Sequence, residues 1–269
     1  LHIHTKYSDG EDNEFEILQK IKKVGINEFA ICDHDNLEGS QKVHNLLKKE
    51  NSNLIFHTGV ELSCIVNNYK SRNIDVHLLV RDFDYYDENI LFLINKISSL
   101  RKQKIQRMVD LIKQVYNIHI KQSEINNALK ETNSFGKPHM YKILATYGNY
   151  DREEFFQNMR KLKSSDLKLD VLEVINKLKN TQGYVTLAHP IEIMKEYNMS
   201  YEDIDELVKY LSSKGLDGLE TKHSTHTKED ADIFSKIAKK YNLKETEGSD
   251  YHGPNIKPTI KLGICEKKQ

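Results

Sequence analysis

LHIHTKYSDG, residues 1–10, opens the chain and decides how the rest of it is interpreted. His2 and His4 lie on a predicted strand, where side chains at i and i+2 point to the same face. Ser8-Asp9-Gly10 follows at once, so a carboxylate stands at the strand's exit beside a glycine that permits a sharp turn. Two imidazoles and a carboxylate at one strand end predict part of a metal site.

Five later segments also place metal-competent side chains at predicted strand ends. Short apolar runs precede some of them, as Phe29-Ala30-Ile31 does before Cys32-Asp33-His34-Asp35. In chain order they add the candidate ligands His34, Glu61, His77, His189, Asp250 and His252. Histidine and carboxylate ligands without a thiolate suit Mn²⁺, Fe²⁺ or Zn²⁺ in open sites that keep water. The pattern therefore indicates a catalytic metal site. Asp33 and Asp35, which flank His34, are predicted to orient ligands.

Length and composition bound the fold class and the partners. A chain of 269 residues suits one α/β barrel with an insertion. Its 40 basic and 40 acidic residues give no net charge, which argues against duplex DNA or an anionic membrane as partner. The longest apolar run, residues 90–94, is too short to span a bilayer. Three scattered cysteines, Cys32, Cys64 and Cys265, favour a reducing cytoplasm. Because the chain starts at Leu1 without Met, a few preceding residues are expected; the oligomeric state stays open.

Strand and helix patterns alternate up to about Val80, as expected for βα units. Strands are predicted at 1–4, 28–33, 54–61 and 74–80, with helices at 13–24 and 38–50. From about residue 85 the strand signal vanishes and apolar residues recur at helical spacing, as at Leu91, Ile94 and Ile97. We therefore expect residues 1–82 and 165–269 to form a metal-binding barrel and residues 83–164 a helical insertion over the carboxyl ends of its strands.

The ordered series HxH, SDG, DHD, GxE, HLL, AHP and GSDxH resembles the polymerase and histidinol phosphatase (PHP) family of metal-dependent phosphoesterases. The resemblance runs from Leu1 to about Gly263. It implies a distorted seven-stranded (β/α) barrel that holds up to three divalent ions, Mn, Fe or Zn. Three residues that are not ligands depart from the family pattern: Glu247 replaces a usual glycine, and Thr221-Lys222 replaces an apolar-aromatic pair.

Carried over position by position, the resemblance implies three ligand sets. They are His2, His4, Glu61 and Asp250 for one ion, Glu61, His77 and His189 for the second, and Asp9, His34 and His252 for the third. A carboxylate shared by two ions, the role implied for Glu61, suits metals about 3.5–4 Å apart that act together on a phosphoryl group. No side chain is assigned as the catalytic acid or base, and the implied nucleophile is metal-activated water.

The insertion is basic, with ten Lys or Arg against three acids between Lys96 and Lys142. Such a run is either a solvated helical face or a surface that attracts an anionic substrate. Gly136-Lys137-Pro138-His139 resembles the family's Arg-Pro-His substrate motif, with Lys in place of Arg, which gives up bidentate geometry. His226 resembles a family histidine near the substrate phosphate. The predicted substrate-binding residues are therefore Lys137, His139 and His226.

These features predict a phosphoesterase that removes phosphate from nucleotides, such as 3′,5′-bisphosphates, or acts at the 5′ ends of short RNA. Lys137-Pro138-His139 and the stretch from Thr225 to Gly253 most resemble that branch of the family. Two alternatives stay open: a histidinol-phosphate phosphatase, whose positively charged substrate a basic insertion would repel, and a non-catalytic accessory module that uses its metals for stability.

Overall fold

The structure, a computed structural model, describes residues 1–131, 135–162 and 165–263. The chain divides into two compact units, which are described separately below. The first comprises Leu1–Ile94 and Leu169–Gln269, and the second comprises Asn95–Lys168. The first unit contains the sheets, and the second unit is built from helices.

The main sheet of the first unit has six strands in the order β5-β3-β4-β6-β7-β8. Its strands are β3 (Gly59–Tyr69), β4 (Arg72–Arg81), β5 (Leu169–Asp170), β6 (Tyr184–Leu187), β7 (Gly218–His223) and β8 (Lys244–Gly248). Strand β4 is antiparallel to both of its neighbours, β3 and β6. The other pairs are parallel, so the fold is a mixed α/β fold.

The antiparallel pairing of β3 and β4 departs from the predicted βα alternation. Tyr69 pairs with Arg72, so only Lys70 and Ser71 lie between the two strands. A connection this short can join antiparallel strands, whereas a parallel pair needs a crossover of a dozen residues or more. Both turn residues have positive φ, 46° and 65°, which matches the twist of a tight hairpin.

A second, two-stranded parallel sheet joins β1 (Glu28–Ala30) to β2 (Ile55–His57). Single bridges, Ile3 to Tyr251 and His34 to Glu61, link further segments of the first unit. The predicted strand at residues 1–4 therefore forms one bridge rather than a ladder. The seven-stranded barrel that we expected is not confirmed, because the described strands belong to sheets of six and two strands.

The described residues also form ten α-helices and a short 3₁₀ helix, Ser165–Leu167. In chain order the α-helices are α1 (Glu14–Val24), α2 (Glu38–Lys49), α3 (Glu88–Tyr116), α4 (Gln122–Glu131), α5 (Lys137–Ala145), α6 (Arg152–Arg160), α7 (Val171–Leu178), α8 (Pro190–Tyr197), α9 (Tyr201–Lys214) and α10 (Lys228–Lys240). The limits of α1 follow from its capping residues. Asn13 and Glu16 form a capping box, and Gly25 ends the helix in the left-handed conformation.

Each unit has an apolar core. In the first unit, Ile17 and Ile21 of α1 pack with Phe29 and Val43. In the second unit, Met108, Met140 and Phe155 belong to a core shared by α3, α4, α5 and α6. Cys32 and Cys64 are buried free thiols, and Cys265 lies outside the described residues. Over the described parts of the chain, no helix combines the length and apolar character that crossing a membrane requires.

The second unit offers a test of its own core. Phe155 is fully buried there, so Phe155→Ala should destabilise the folded state by about 3–5 kcal/mol, through lost burial and a residual cavity. Phe15→Ala is the matched control, because Phe15 is 57% exposed on α1 and its truncation should change stability by less than about 0.5 kcal/mol. Urea unfolding followed by far-ultraviolet circular dichroism measures both. Equal midpoints for the two variants would contradict the assignment of Phe155 to this core.

Candidate metal centre

All nine residues predicted as metal ligands lie in the first unit, and the structure brings them together. Glu61 lies on β3 and His77 on β4, whereas His189 follows β6. The other six occupy segments outside the named strands and helices: His2, His4, Asp9, His34, Asp250 and His252. Segments that are far apart in the sequence therefore converge on one site.

Glu61 stands at the middle of this site and is only 1% exposed. Its Oε2 lies 3.3 Å from His2 Nε2, 3.1 Å from His4 Nε2 and 3.1 Å from His34 Nδ1. Its other oxygen, Oε1, lies 3.1 Å from His77 Nδ1 and 2.9 Å from His189 Nε2. The two oxygens of one carboxylate therefore face two different groups of imidazoles.

The group at Oε2 fits a divalent ion. His2 Nε2 and His4 Nε2 are 3.0 Å apart, and Asp250 Oδ1 lies 3.6 Å and 3.2 Å from them. Ligands about 2.1 Å from an ion at the corners of a tetrahedron are about 3.4 Å from each other. Two imidazole nitrogens and two carboxylate oxygens at this spacing are a donor set of the kind that such an ion takes.

The group at Glu61 Oε1 has fewer imidazoles than the group at Oε2, at similar distances from the carboxylate. His77 Nδ1 and His189 Nε2 are 3.3 Å apart, and both face Glu61 Oε1. His77 is more exposed than His189, so this group lies on the accessible side of the site. His34 also reaches Glu61, and His34, Glu61 and His77 form a cluster whose donor atoms lie within 4.8 Å of one another.

Asp9 is the centre of a third group. Its Oδ1 lies 3.3 Å from His252 Nε2 and 3.4 Å from His4 Nδ1, and its Oδ2 lies 3.6 Å from His34 Nε2. His4 thus faces Asp9 through one ring nitrogen and Glu61 through the other. The structure brings His4 close to this group, whereas the family resemblance placed His4 only in the first set.

Electrostatics within the site are dominated by burial and by the pairing of imidazoles with carboxylates. Burial alone would raise the pKa of Glu61, but the surrounding histidines, His34 and His2 first, hold it well below its usual range. Burial would lower the pKa of His189, but the hydrogen bond and charge of Glu61 raise it to about 10. Burial lowers the pKa of His34 to about 3, so the neutral ring of His34 has one nitrogen lone pair to offer.

Glu220, on β7, orients two of these histidines and was not identified from the sequence. It is fully buried, and its Oε1 lies 3.1 Å from His2 Nδ1. Its Oε2 accepts a hydrogen bond from the backbone N–H of His189 at 2.8 Å. A carboxylate that accepts a hydrogen bond from His2 Nδ1–H keeps the proton on that nitrogen and leaves the Nε2 lone pair free to bind a metal, as outer partners of metal ligands commonly do. The one sequence signal for Glu220 is its place near the end of a predicted strand.

Asp33 supports the site from the side, as the sequence predicted. Its Oδ1 accepts hydrogen bonds from Ser8 Oγ and the Thr5 backbone, and its Oδ2 accepts one from Thr5 Oγ1 at 2.6 Å. Gly39 of α2 lies so close that an added Cβ would approach Asp33 Oδ2 to 1.9 Å. Asp33 therefore fixes the loop that carries Asp9.

Lys137 and His139, two of the predicted substrate-binding residues, lie in the second unit at the start of α5. The Gly136 backbone N–H donates to His139 Nδ1 at 3.1 Å, so Nε2 carries the proton of the neutral ring and is a donor. Partial burial lowers the pKa of the Lys137 ammonium, as do the nearby cations Arg160 and Lys168. Within the described residues Lys137 forms no recorded ion pair.

His226, the third predicted substrate residue, belongs to the first unit and is fully buried. Its Nδ1 lies 3.0 Å from the Thr221 carbonyl oxygen, to which it donates, so Nε2 presents a lone pair. Burial lowers the pKa of His226 to about 4. A contact with phosphate through Nε2 would need a proton on that nitrogen, which the ring gains only near that pH. His223 is also fully buried, and its Nε2 lies 3.6 Å from Asp250 Oδ2.

Two curated proteins are similar to this chain over most of their length. A 5′-3′ exoribonuclease of Haemophilus influenzae is 26% identical over 264 residues, which cover 94% of this chain and 89% of that protein. A phosphoribosyl 1,2-cyclic phosphate 1,2-diphosphodiesterase of Eggerthella lenta is 24% identical over 261 residues, which cover 94% of this chain and 93% of that protein.

Two solved structures are also similar to this chain over most of its length. A "putative metal-dependent phosphoesterase" from Bifidobacterium adolescentis superposes with a TM-score of 0.73 at 26% identity, covering 100% of this chain and 91% of that one. An amidohydrolase from Chromobacterium violaceum, with bound sulfate and no metal, superposes with a TM-score of 0.70 at 19% identity, covering 99% of this chain and 92% of that one. The second likeness shows the fold alone.

The PHP domain matches residues 1–232, which is most of the chain. Asp250 and His252 follow the matched segment, and the structure places both beside ligands that lie within it. The groups of His, Asp and Glu described above could hold metal ions. The chain belongs to the PHP domain family and is a metal-dependent phosphoesterase.

Proposed function

We propose that the protein hydrolyses phosphate monoesters of nucleotides, such as 3′,5′-bisphosphates, or acts at the 5′ ends of short RNA. The observation that carries this proposal is the position of Glu61, whose two oxygens face separate groups of imidazoles within 2.9–3.3 Å. Such a carboxylate can bridge two ions, and paired ions suit the displacement of an oxygen at phosphorus.

The nine residues would hold up to three divalent ions, in the sets that the family resemblance implied. His2, His4, Glu61 and Asp250 would hold the first, Glu61, His77 and His189 the second, and Asp9, His34 and His252 the third. All donors are nitrogen or oxygen, which suits Mn, Fe or Zn. The distances around Glu61 and Asp9 support these sets, with His4 close enough to serve the third set as well.

Bound ions would polarise phosphoryl oxygens and activate water, which is the chemistry that divalent metals supply to phosphoester hydrolysis. The side chains of the protein set the positions at which this occurs. Glu220 holds the His2 ring with Nε2 turned toward Glu61, and it also holds the backbone of His189. Asp33 holds the loop of Asp9 through Thr5 and Ser8.

Lys137, His139 and His226 would bind phosphate groups of the substrate that the ions do not reach. For His139 the outward Nε2–H supports this role, because a neutral ring can donate it to an anionic oxygen. For Lys137 the support is a charge without a recorded ion pair among the described residues. For His226 the role requires protonation of the buried ring, so it is the weakest of the three assignments.

Similarity to an exoribonuclease supports nucleotide or short RNA substrates. Similarity to a cyclic phosphate diphosphodiesterase favours a second candidate, the opening of a small cyclic phosphodiester. A histidinol-phosphate phosphatase is less favoured, because its substrate is positively charged and the segment around Lys137 is basic. A non-catalytic accessory module is less favoured because all nine donor positions hold competent ligands.

A substrate panel assayed with Mn²⁺ tests the proposal. The panel contains 3′,5′-nucleoside bisphosphates, 5′-phosphorylated short RNA, a ribose 1,2-cyclic phosphate, histidinol phosphate and an aryl phosphate. We expect the highest kcat/KM for the bisphosphates or the RNA, and no hydrolysis after chelation. A preference for the cyclic phosphate would select the second candidate, and no turnover of any member would refute both.

Glu61→Gln tests the shared carboxylate. The change keeps the size of the side chain but removes the charge that would balance two ions. We expect the variant to lose at least one ion per chain and more than about 100-fold in kcat/KM, since loss of a mere outer partner already costs about 10- to 100-fold. Elemental analysis after Mn²⁺ loading and steady-state kinetics measure the two effects. Glu202→Gln, an exposed change on α9, is the control. Near-normal turnover of Glu61→Gln would rule out a bridging role.

Lys137→Ala tests the substrate assignment in the second unit. A charged hydrogen bond to phosphate contributes about 1.5–3 kcal/mol, so KM for a nucleoside bisphosphate should rise roughly 10- to 100-fold. Metal content should not change, because the predicted ligands all lie in the first unit. Lys113→Ala, an exposed change on α3, is the matched control.

The aryl phosphate shows whether Lys137 binds a distal phosphate or the scissile phosphate. If Lys137 binds a distal phosphate, KM for the aryl phosphate, which has none, should stay within about twofold of the wild-type value. An equal loss for the bisphosphate and the aryl phosphate would contradict the distal role.

A further inference from the structure

Lys257 is a charged residue in contact with the metal centre, and nothing so far assigns it a role. It follows a tight turn in which the Lys257 backbone N–H donates to the Gly253 carbonyl at 2.9 Å. Gly253 has a φ of 104°, and an added Cβ would meet the Glu11 side chain at 2.0 Å. The turn brings the chain back toward Asp250, and Lys257 Nζ donates to Asp250 Oδ2 at 2.6 Å.

The two oxygens of Asp250 face different groups. Oδ1 lies 3.2 Å from His4 Nε2, on the side where the first ion would bind. Oδ2 faces Lys257, with His223 Nε2 also 3.6 Å away. The ammonium of Lys257 is therefore hydrogen-bonded to Asp250 Oδ2, the oxygen that does not face His4. Lys257 lies next to the candidate metal ligands and is not one of them.

The exposure of Lys257 distinguishes it from a purely structural partner. Its side chain is 34% exposed, whereas that of Asp250 is 4% exposed. An ammonium has three N–H donors, and the contact with Asp250 uses one of them. The remaining donors are on a side chain that solvent reaches, as it reaches Asp9 and His77, which are 36% and 35% exposed. The positive charge of Lys257 therefore lies beside Asp250 at a position that solvent reaches.

We propose that Lys257 donates a hydrogen bond to an oxygen of the scissile phosphoryl group while it keeps its contact with Asp250. The inference rests on the proposed function, and it assigns to Lys257 a phosphate different from the distal one assigned to Lys137. The same contact would hold the product, inorganic phosphate. No bond is made or broken by Lys257, which binds and orients a dianion or monoanion through charge-assisted hydrogen bonds.

The test uses Lys257→Gln, because a glutamine amide can still donate to Asp250 Oδ2 while it lacks the charge. We expect kcat/KM for an aryl phosphate to fall roughly 10- to 100-fold, as for the loss of one charged hydrogen bond. The inhibition constant of inorganic phosphate should rise by a similar factor. Lys257→Arg should recover part of both losses, because the guanidinium restores the charge with different geometry. Lys261→Gln, an exposed change in the same segment, should behave as wild type.

Two further measurements separate this role from a structural one. Metal content after Mn²⁺ loading should be the same in wild type and Lys257→Gln. Inorganic phosphate should raise the melting temperature of the metal-loaded wild type more than that of the variant, a readout that does not depend on turnover. If Lys257→Gln does not fold, Lys257→Met, which is also uncharged, answers the same questions, and in that variant a phosphate shift equal to wild type alongside an unchanged kcat/KM would overturn the proposal.

The outcomes also separate this inference from the proposed function. An active wild type with normal kinetics and phosphate inhibition in Lys257→Gln would refute the role of Lys257 alone. Loss of metal in Lys257→Gln would show that Lys257 merely positions Asp250, which also refutes the inference. A folded, metal-loaded wild type that hydrolyses no phosphoester yet binds phosphate through Lys257 would refute the proposed function and leave the phosphate contact standing.

Discussion

One buried carboxylate, Glu61, organises the first unit. An isolated ionised carboxylate in a protein interior is strongly unfavourable, so its burial requires partners that offset the charge. Glu61 meets five imidazoles, and they come from segments far apart in the chain: His2, His4, His34, His77 and His189. The carboxylate can be buried only if all these segments arrive together. The same requirement holds when divalent ions take over the compensation, so the fold and the metal centre share one constraint.

The backbone around the site is strained in places, and hydrogen bonds hold it there. His189, Asp250 and Asp35 have φ values of 28°, 55° and 51°, in a region that costs of order 1–3 kcal/mol for residues other than glycine. Each has its backbone N–H bonded within the site: His189 to Glu220, Asp250 to the His2 carbonyl, and Asp35 to the Glu61 carbonyl. The backbone of each strained residue is thus held by a hydrogen bond to another residue of the site.

The sequence was informative where chemistry and periodicity coincide. His2 and His4 were recognisable because strand spacing puts them on one face, and the alternation of strand and helix patterns predicted a helix at 13–24, where the structure has α1. The β3–β4 hairpin was missed because its turn residues, Lys70 and Ser71, adopt positive φ without being Gly or Asn. Local preference did not favour that conformation, and the pairing of long strands stabilises it together with a hydrogen bond from the Asn68 backbone N–H to Asn73 Oδ1.

Glu220 and Lys257 were missed for a related reason. Glu220 acts on His2 across 218 positions, and Lys257 reaches Asp250 only through the turn that follows Gly253, so no local spacing marks either residue. Their importance becomes visible only through three-dimensional contacts. The ligands themselves could be found because metal chemistry restricts which residue types can serve, whereas an outer partner needs only a hydrogen bond and a charge, which many residues offer.

The candidate metal ligands and the proposed phosphate contacts of Lys137 and His139 lie in different units, and they require different precision of placement. The nine candidate ligands and their partners Glu220 and Asp33 all belong to the first unit, where donor positions tolerate errors of only a few tenths of an ångström. Lys137 and His139 belong to the second unit, which has its own apolar core. A phosphate contact through a flexible lysine tolerates more movement than a metal ligand does. Under the proposed role of Lys137, substitutions in the second unit would alter which phosphorylated compounds are accepted without displacing the donors of the first unit.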